Sequence, residues 1–422
     1  MGRVKHDDAP YWRSLFSRSL ARRPRFARTF GCKLRLQQGN AGARGCGRAL
    51  RLLAGLLGML LAMHCICGCT SNAERIQSGT MDGFGYAQAE RLRNSLPFLA
   101  DATNDHPLYR AYYKYYELPK NAKHVLSSLR VDGYTVAVQR FEPAQPAAGT
   151  VFFVHGYLVH SGLYRKLIEF LLSLDMSVVS FDLPGHGLSS GQRGAIGAFS
   201  DYATILNAVI ERFSDAPTPR IIMGHSTGGA CIIEWLRDPQ HKADLVVLAA
   251  PLIRSNWWWF TKFGTVMMGR QNYIFPRFYP KTTSDMEHLN WVRTQDPLVV
   301  RQFPFAWARA LVLWESSLSD YPHPTLPLLV LQGSHDDVLA ERHNLRFLQQ
   351  HFDQARISII PEARHDLFVE SDRILKKIFA EIEAFIPTVL SPCRRPRVAP
   401  ADSHGWPPRS RAGRGIRRAG PG

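Results

Sequence analysis

Cysteine is scarce where a folded body would use it. Of seven cysteines, five (Cys32, Cys46, Cys65, Cys67 and Cys69) precede residue 70, and only Cys231 and Cys393 follow. A disulfide framework is therefore not expected. Long apolar runs are lacking too. The run from Leu52 to Met63 holds twelve residues, whereas a membrane-crossing helix needs about 20. No cluster of His, Cys and acidic residues stands at metal-ligand spacing, and no Gly-rich loop precedes a helix in the manner of a phosphate cradle. Gly185-His186-Gly187 lies in a turn instead. Neither metal nor cofactor is expected.

The central body also lacks charge of one sign. The net charge of +17 suggests a nucleic-acid binder until it is divided along the chain. Residues 1–51 carry 13 Lys/Arg against 2 Asp/Glu, and residues 391–422 carry 8 against 1. Residues 52–390 hold 31 basic and 32 acidic residues. With no overall field to attract phosphates, nucleic acid is excluded as a partner.

The two ends have their own signatures. Residues 1–51, rich in Arg and Gly without an apolar period, are expected to be disordered or to lie upstream of the true start. Residues 52–69 read as a signal segment: Arg48 and Arg51, the apolar run, then Ile66-Cys67-Gly68-Cys69 before polar Thr70-Ser71-Asn72. This resembles a bacterial lipoprotein signal, with Cys69 as the lipidated residue because Gly68 precedes it. It implies a protein of the bacterial cell envelope, anchored by lipid to a membrane, with the outer membrane favoured. A secreted or periplasmic protein is the alternative. The Pro-, Arg- and Gly-rich tail 391–422 cannot bury a core and is expected to be disordered.

Residues 73–124 read as a mostly helical extension whose tyrosines (Tyr109, Tyr112, Tyr113, Tyr115, Tyr116) suit packing. Val125–Val131 and Tyr134–Phe141 flank Asp132-Gly133, a hairpin signal. Apolar strands then alternate with helical stretches from Thr150 to Phe385. That alternation predicts an α/β domain over 125–390, a doubly wound, mostly parallel sheet covered on both faces. It breaks between about 252 and 324, where Trp257-Trp258-Trp259-Phe260, Trp291, Trp307 and Trp314 stand without a clear strand. A mostly helical cap insertion over the strand ends is expected there.

One stretch organises the chemistry. The apolar Ile221-Ile222-Met223 feeds Gly224-His225-Ser226-Thr227-Gly228, and helix-compatible residues follow. A strand, a sharp turn and a helix expose the central Ser226 as a nucleophile and leave the Thr227 backbone N–H at a helix N-terminus. Two later segments supply partners. Leu329-Val330-Leu331 runs into Gly333-Ser334-His335-Asp336-Asp337, and Ile357–Ile360 leads to Ala363-Arg364-His365-Asp366. The order Ser226, Asp336, His365 is that of an α/β-hydrolase, with His365 as base and Asp336 orienting it. Asp337 is the alternative acid; His335 and Asp366 read as loop surface residues. After the strand ending at Val154, His155-Gly156-Tyr157 offers the Tyr157 N–H as second oxyanion donor beside Thr227. His155 and His225 read as packing residues.

Val154-His155-Gly156, His160-Ser161-Gly162-Leu163-Tyr164, Phe181-Asp182-Leu183-Pro184-Gly185-His186-Gly187-Leu188-Ser189 and Gly224–Gly229 recur in a known order. Asp296-Pro297-Leu298, Gly333–Asp336 and Ala363-Arg364-His365 continue it. Together they resemble the monoacylglycerol lipase/lysophospholipase branch of the α/β-hydrolases, also labelled serine aminopeptidase-like hydrolases, over roughly residues 125–387. The resemblance implies Ser226 as nucleophile, Asp336 as acid, His365 as base, and Tyr157 and Thr227 as oxyanion donors. Thr227 departs from the Met that many relatives carry, and the cap departs most. The expected function is hydrolysis of monoacyl-lipid esters through an acyl-enzyme, with the aromatic cap as an apolar slot or lipid-touching surface. An aminopeptidase, thioesterase or small-ester hydrolase on the same fold, or a non-catalytic envelope scaffold, are the alternatives.

Overall fold

The computed structural model describes residues 84–96 and 106–390, without the side chains of 387–390. The signal segment 52–69 with Cys69, the stretch 1–51 and the tail 391–422 lie outside the described residues. Among the described residues no helix is long and apolar enough to cross a membrane.

Eight strands form one sheet. In chain order they are β1 (Lys123–Val131), β2 (Tyr134–Glu142), β3 (Gly149–Val154), β4 (Met176–Phe181), β5 (Arg220–His225) and β6 (Leu245–Ala249), then β9 (Leu328–Gly333) and β10 (Ala355–Ile360) after the cap. Their spatial order is β1-β2-β4-β3-β5-β6-β9-β10. The β1–β2 and β2–β4 pairs are antiparallel and the others parallel. Strands β3, β4, β6 and β9 are buried at every position, as uninterrupted apolar runs require when helices cover both faces. The hairpin turn stands at Asp132-Gly133, where φ values of 45° and 79° suit a two-residue connection.

The crossovers carry helices α3 (Arg165–Ser173), α4 (Phe199–Arg212), α5 (Thr227–Trp235) and α9 (Glu341–His351), and α10 (Asp372–Leu390) closes the domain. Their heptad-like apolar stripes, such as Leu167, Ile168 and Leu171 on α3, are buried against the sheet. Ahead of the hairpin lie α1 (Tyr86–Ser95) and α2 (Pro107–Tyr115). Tyr109 and Tyr112 on α2 are fully buried, and Tyr109 Oη lies 2.6 Å from His124 Nδ1 on β1. Tyr112 Oη accepts a hydrogen bond from Gln139 Nε2 of β2 at 2.9 Å. The extension thus shares the core of the sheet.

Between β6 and β9 the chain forms the cap: α6 (Trp258–Met268), β7 (Ile274–Pro276), α7 (Met286–Thr294), β8 (Gln302–Pro304) and α8 (Phe305–Ser316). The expectation of a cap without strands is corrected in one respect. β7 and β8 pair as an antiparallel ribbon of three residues each, too short for any alternation to register in the sequence. The cap is fastened to the body through Asp296, which is buried. Its carboxylate accepts from Tyr116 Oη at 2.8 Å and from the Leu298 N–H at 2.8 Å, and lies 3.0 Å from His160 Nε2.

Candidate active site

The turn between β5 and α5 is built by exclusion. Ser226 has φ 52° and ψ −111°, a region that L-residues rarely enter. A β-carbon at Gly228 would lie 2.1 Å from the Val154 carbonyl oxygen, and one at Gly224 would lie 2.6 Å from the Gly228 carbonyl carbon. Only glycine fits at both places, so the chain can turn tightly enough to present Ser226 at the C-terminal edge of the sheet.

His365 follows β10, and Asp336 follows β9. His365 Nε2 lies 3.0 Å from Ser226 Oγ, and His365 Nδ1 lies 2.9 Å from Asp336 Oδ2. All three side chains are buried. Asp336 is held from several sides: Gln332 Nε2 donates to Oδ2 at 2.9 Å, and the Val338 and Leu339 N–H groups donate to Oδ1 at 2.8 and 3.2 Å. Asp337, the alternative acid, is exposed and pairs with Arg364 at 3.2 Å. Geometry therefore brings Asp336, not Asp337, to the imidazole. His335 is exposed, as its loop position suggests, whereas Asp366 is only half-exposed. The expectation of a surface residue is corrected for Asp366, whose Oδ1 lies 3.8 Å from His225 Nε2.

Burial alone would lower the pKa of His365. The Asp336 carboxylate, its hydrogen bond and the charge of Asp366 outweigh that effect and raise it above the ordinary 6.5. Burial would raise the pKa of Asp336, but the facing His365 and the donors from Gln332 and Val338 hold it well below the usual carboxylate range. The pair is thus arranged to favour an imidazolium beside a carboxylate.

His225, expected only to pack, links three parts of the site. Its Nε2 lies 2.9 Å from the His365 carbonyl oxygen, which requires an N–H there. Its Nδ1 then accepts from Tyr164 Oη at 3.3 Å, and that hydroxyl accepts weakly from the Gly156 N–H at 3.4 Å. His155 is held by the Leu183 N–H, which donates to Nε2 at 2.9 Å, and by the Gly156 carbonyl. His225, His365 and Asp366 offer ligand atoms within 4.8 Å of one another. Both ring nitrogens of His365 and the Nε2 of His225 are already engaged, so these groups read as a polar network and not a metal seat.

Gly156 brings its loop against the turn: a β-carbon there would lie 2.8 Å from His225 Nδ1 and 3.4 Å from Ser226 Cβ. Tyr157 follows directly. Among the described residues, neither the Tyr157 nor the Thr227 backbone N–H donates to a protein acceptor. Thr227 opens α5, where the first N–H groups have no helical partner. Two free donors beside a buried hydroxyl suit a developing oxyanion. Gln332 and Tyr164 were invisible as site residues in the sequence, since each acts through a contact between distant segments.

A family model described as serine aminopeptidase, S33, matches residues 145–372. Monoglyceride lipase of Homo sapiens is 27% identical over 272 residues, covering 61% of this chain and 88% of that protein. Monoacylglycerol lipase of Mycolicibacterium smegmatis is 23% identical over 260 residues, covering 58% and 91%. Among solved structures, a soluble variant of monoglyceride lipase from Saccharomyces cerevisiae in complex with a substrate analog shares the fold. Its TM-score is 0.56 at 16% identity, with 63% of this chain and 96% of that one covered. The fold and these matches agree with the order of the motifs: the chain belongs to the serine aminopeptidase S33 family of α/β-hydrolases, in its monoacylglycerol lipase branch.

Proposed function

We propose that the protein hydrolyses carboxylic esters of monoacyl lipids, monoacylglycerols or lysophospholipids, through an acyl-enzyme on Ser226. The observation that carries the reading is the unbroken relay from Ser226 through His365 to Asp336, beside two unpaired N–H groups. In the resting state His365 Nδ1–H donates to Asp336, leaving Nε2 to accept the Ser226 proton. As Oγ bonds to the ester carbon, that proton passes to Nε2 and the carbonyl oxygen gains charge under the Tyr157 and Thr227 N–H groups. Collapse breaks the bond to the alcohol, which takes the proton from Nε2. Water then repeats the sequence on the acyl-enzyme and releases the fatty acid.

The cap supports a lipid substrate. Trp258 is buried, but its neighbours Trp257 and Trp259 are 77% and 78% exposed, with Phe260, Phe263, Val266 and Met267 also in solvent. Between Asn256 and Thr283 the chain carries Lys262, Arg270, Arg277 and Lys281 and no acidic residue. An apolar helix face with Trp and basic neighbours suits the interface of an anionic lipid surface. Together with lipidation of Cys69, this would place the enzyme on an envelope membrane, the outer membrane in a bacterium. Mass spectrometry of the mature N-terminus tests the anchor: an unmodified Cys69 rejects it. Replacing Trp257 and Trp259 by Ser should weaken binding to anionic vesicles at least tenfold, while turnover of a soluble short-chain ester stays unchanged. Equal vesicle binding would reject the lipid contact.

A panel of monoacylglycerols, lysophospholipids, acyl-thioesters and amino-acyl amides tests the substrate class. The oxygen esters should be turned over, and Ser226→Ala should abolish both turnover and labelling by a fluorophosphonate. Preferred cleavage of the amides or thioesters would sink the lipid-ester reading.

A further inference from the structure

The two oxyanion donors are held in different ways. The Thr227 N–H is fixed by the turn itself, between β5 and α5. Tyr157 stands three residues beyond the end of β3, after Gly156, which lies close against His225. Beyond Tyr157 the loop is held from the other side. Leu158, the next residue, has φ 63°, in the left-handed region that a leucine adopts only when surrounding contacts hold it.

Those contacts come from the cap. The Leu158 carbonyl accepts from Arg277 Nη1 at 2.8 Å and from the Val300 N–H at 3.2 Å. Arg277 directly follows β7 and its own N–H donates to the Arg301 carbonyl at 2.9 Å, so the β7–β8 ribbon fixes its backbone. Among the described residues Arg277 makes no ion pair; its guanidinium stacks over Tyr279 at 4.5 Å. The Tyr157 ring stacks on Trp307 of α8, centroids 3.8 Å apart and planes 13° from parallel. The body contributes two holds: His155 Nδ1 lies 2.7 Å from the Gly156 carbonyl oxygen, in the same peptide as the Tyr157 N–H, and the Tyr157 hydroxyl donates to the Gly194 carbonyl at 2.7 Å.

We infer that Arg277 is a positioning residue for the Tyr157 oxyanion donor, so that the cap sets one half of the oxyanion site as well as covering it. The inference rests on the assignment of Ser226, Tyr157 and Thr227 given above and deepens it. A charged donor on the Leu158 carbonyl is stronger than a neutral one. It holds Leu158 in its left-handed conformation, and relaxation there would shift the adjoining Tyr157 backbone relative to the oxyanion. The Tyr157 N–H bond to the oxyanion strengthens as charge develops, so its misplacement should fall on the chemical step and not on substrate binding.

The test compares Arg277→Met, Arg277→Lys and Arg301→Ala on a soluble short-chain ester. Arg301 is the control, because its side chain also ties the cap, through the Arg293 and Asp296 carbonyls, without touching Leu158. Arg277→Met should lower kcat about 10- to 100-fold with KM within about twofold, as expected when one oxyanion donor is misplaced. Affinity for a trifluoromethyl ketone, which bonds to Ser226 as a tetrahedral oxyanion, should fall by the same factor. Arg277→Lys, which keeps a charged donor, should recover most of both, and Arg301→Ala should stay near the parent. A folded Arg277→Met with parental kcat, or an equal loss in Arg301→Ala, would overturn the inference. If Arg277→Met does not fold, Arg277→Gln carries the same expectation, and failure of both to fold would assign Arg277 a structural role only. Absence of fluorophosphonate labelling in the parent protein would instead sink the assignment of Ser226 itself.

Discussion

His365 carries the clearest consequences of individual side chains. It must be neutral to accept the Ser226 proton, and its pKa is raised by Asp336 and Asp366 against the pull of burial. Activity should therefore fall as pH drops through a value above the ordinary 6.5. Asp366→Asn removes one of the raising charges without touching the relay, so the acid limb of kcat/KM should move to lower pH. A limb that stays or moves upward contradicts this electrostatic account. Asp336→Asn should reduce kcat by about four orders of magnitude, whereas Asp337→Asn, on an exposed carboxylate paired with Arg364, should leave it within about threefold of the parent. Steady-state kinetics on one ester separates the two. The sequence offered both acids side by side, three and four residues after Gly333. Only the packing of the β9 loop against Gln332, Val338 and Leu339 turns the first inward and the second to solvent.

Among the elements, the turn at Ser226 was the most legible. Gly224 and Gly228 are demanded by contacts within one strand–turn–helix unit and by its neighbour β3, so their need is written locally. Gly228→Ala would press a methyl onto the Val154 carbonyl at 2.1 Å. It should destabilise the protein by at least ~1–3 kcal/mol and displace Ser226, which urea denaturation and fluorophosphonate labelling together would register; unchanged stability and labelling would refute it. The cap was legible as a break in alternation, and its Trp-rich run as apolar. Whether each tryptophan packs or faces water was not, since Trp257, Trp258 and Trp259 are chemically identical neighbours. The fold buries the middle one alone, with the Arg254 guanidinium 5.8 Å over its ring. The β7–β8 ribbon was silent in the sequence, because three residues per strand give no pattern, yet it places Arg277.

At the scale of the whole molecule, buried histidines set the response to acid. Desolvation holds His155 and His225 down at about 4, against an ordinary 6.5. Below 6.5 the unfolded chain takes up protons that these side chains refuse in the fold. Their share of stability is present above that value and is lost as pH falls towards about 4. His365 works in the opposite sense, its contribution fading as pH rises through its raised value. Burial lowers His124 and His186 as well, so with these four rings set against His365 the urea midpoint should fall between neutral pH and about pH 5. A midpoint that rises over that interval would mean that these rings are charged in the fold.

The sequence by itself determined the sheet, the hairpin, the strand–turn–helix at Ser226 and the chain order of the three candidate catalytic residues. Each of these depends on periodicity or on steric demands within a few consecutive residues. Tertiary structure decided which acid meets His365, which tryptophan faces water, how His225 ties the turn to the His365 backbone, and that a cap arginine grips the loop of an oxyanion donor. Those outcomes depend on contacts between segments 29 to 140 residues apart, as between His365 and Asp336 or between His225 and the His365 carbonyl. Spacing along the chain holds no record of such distances in space.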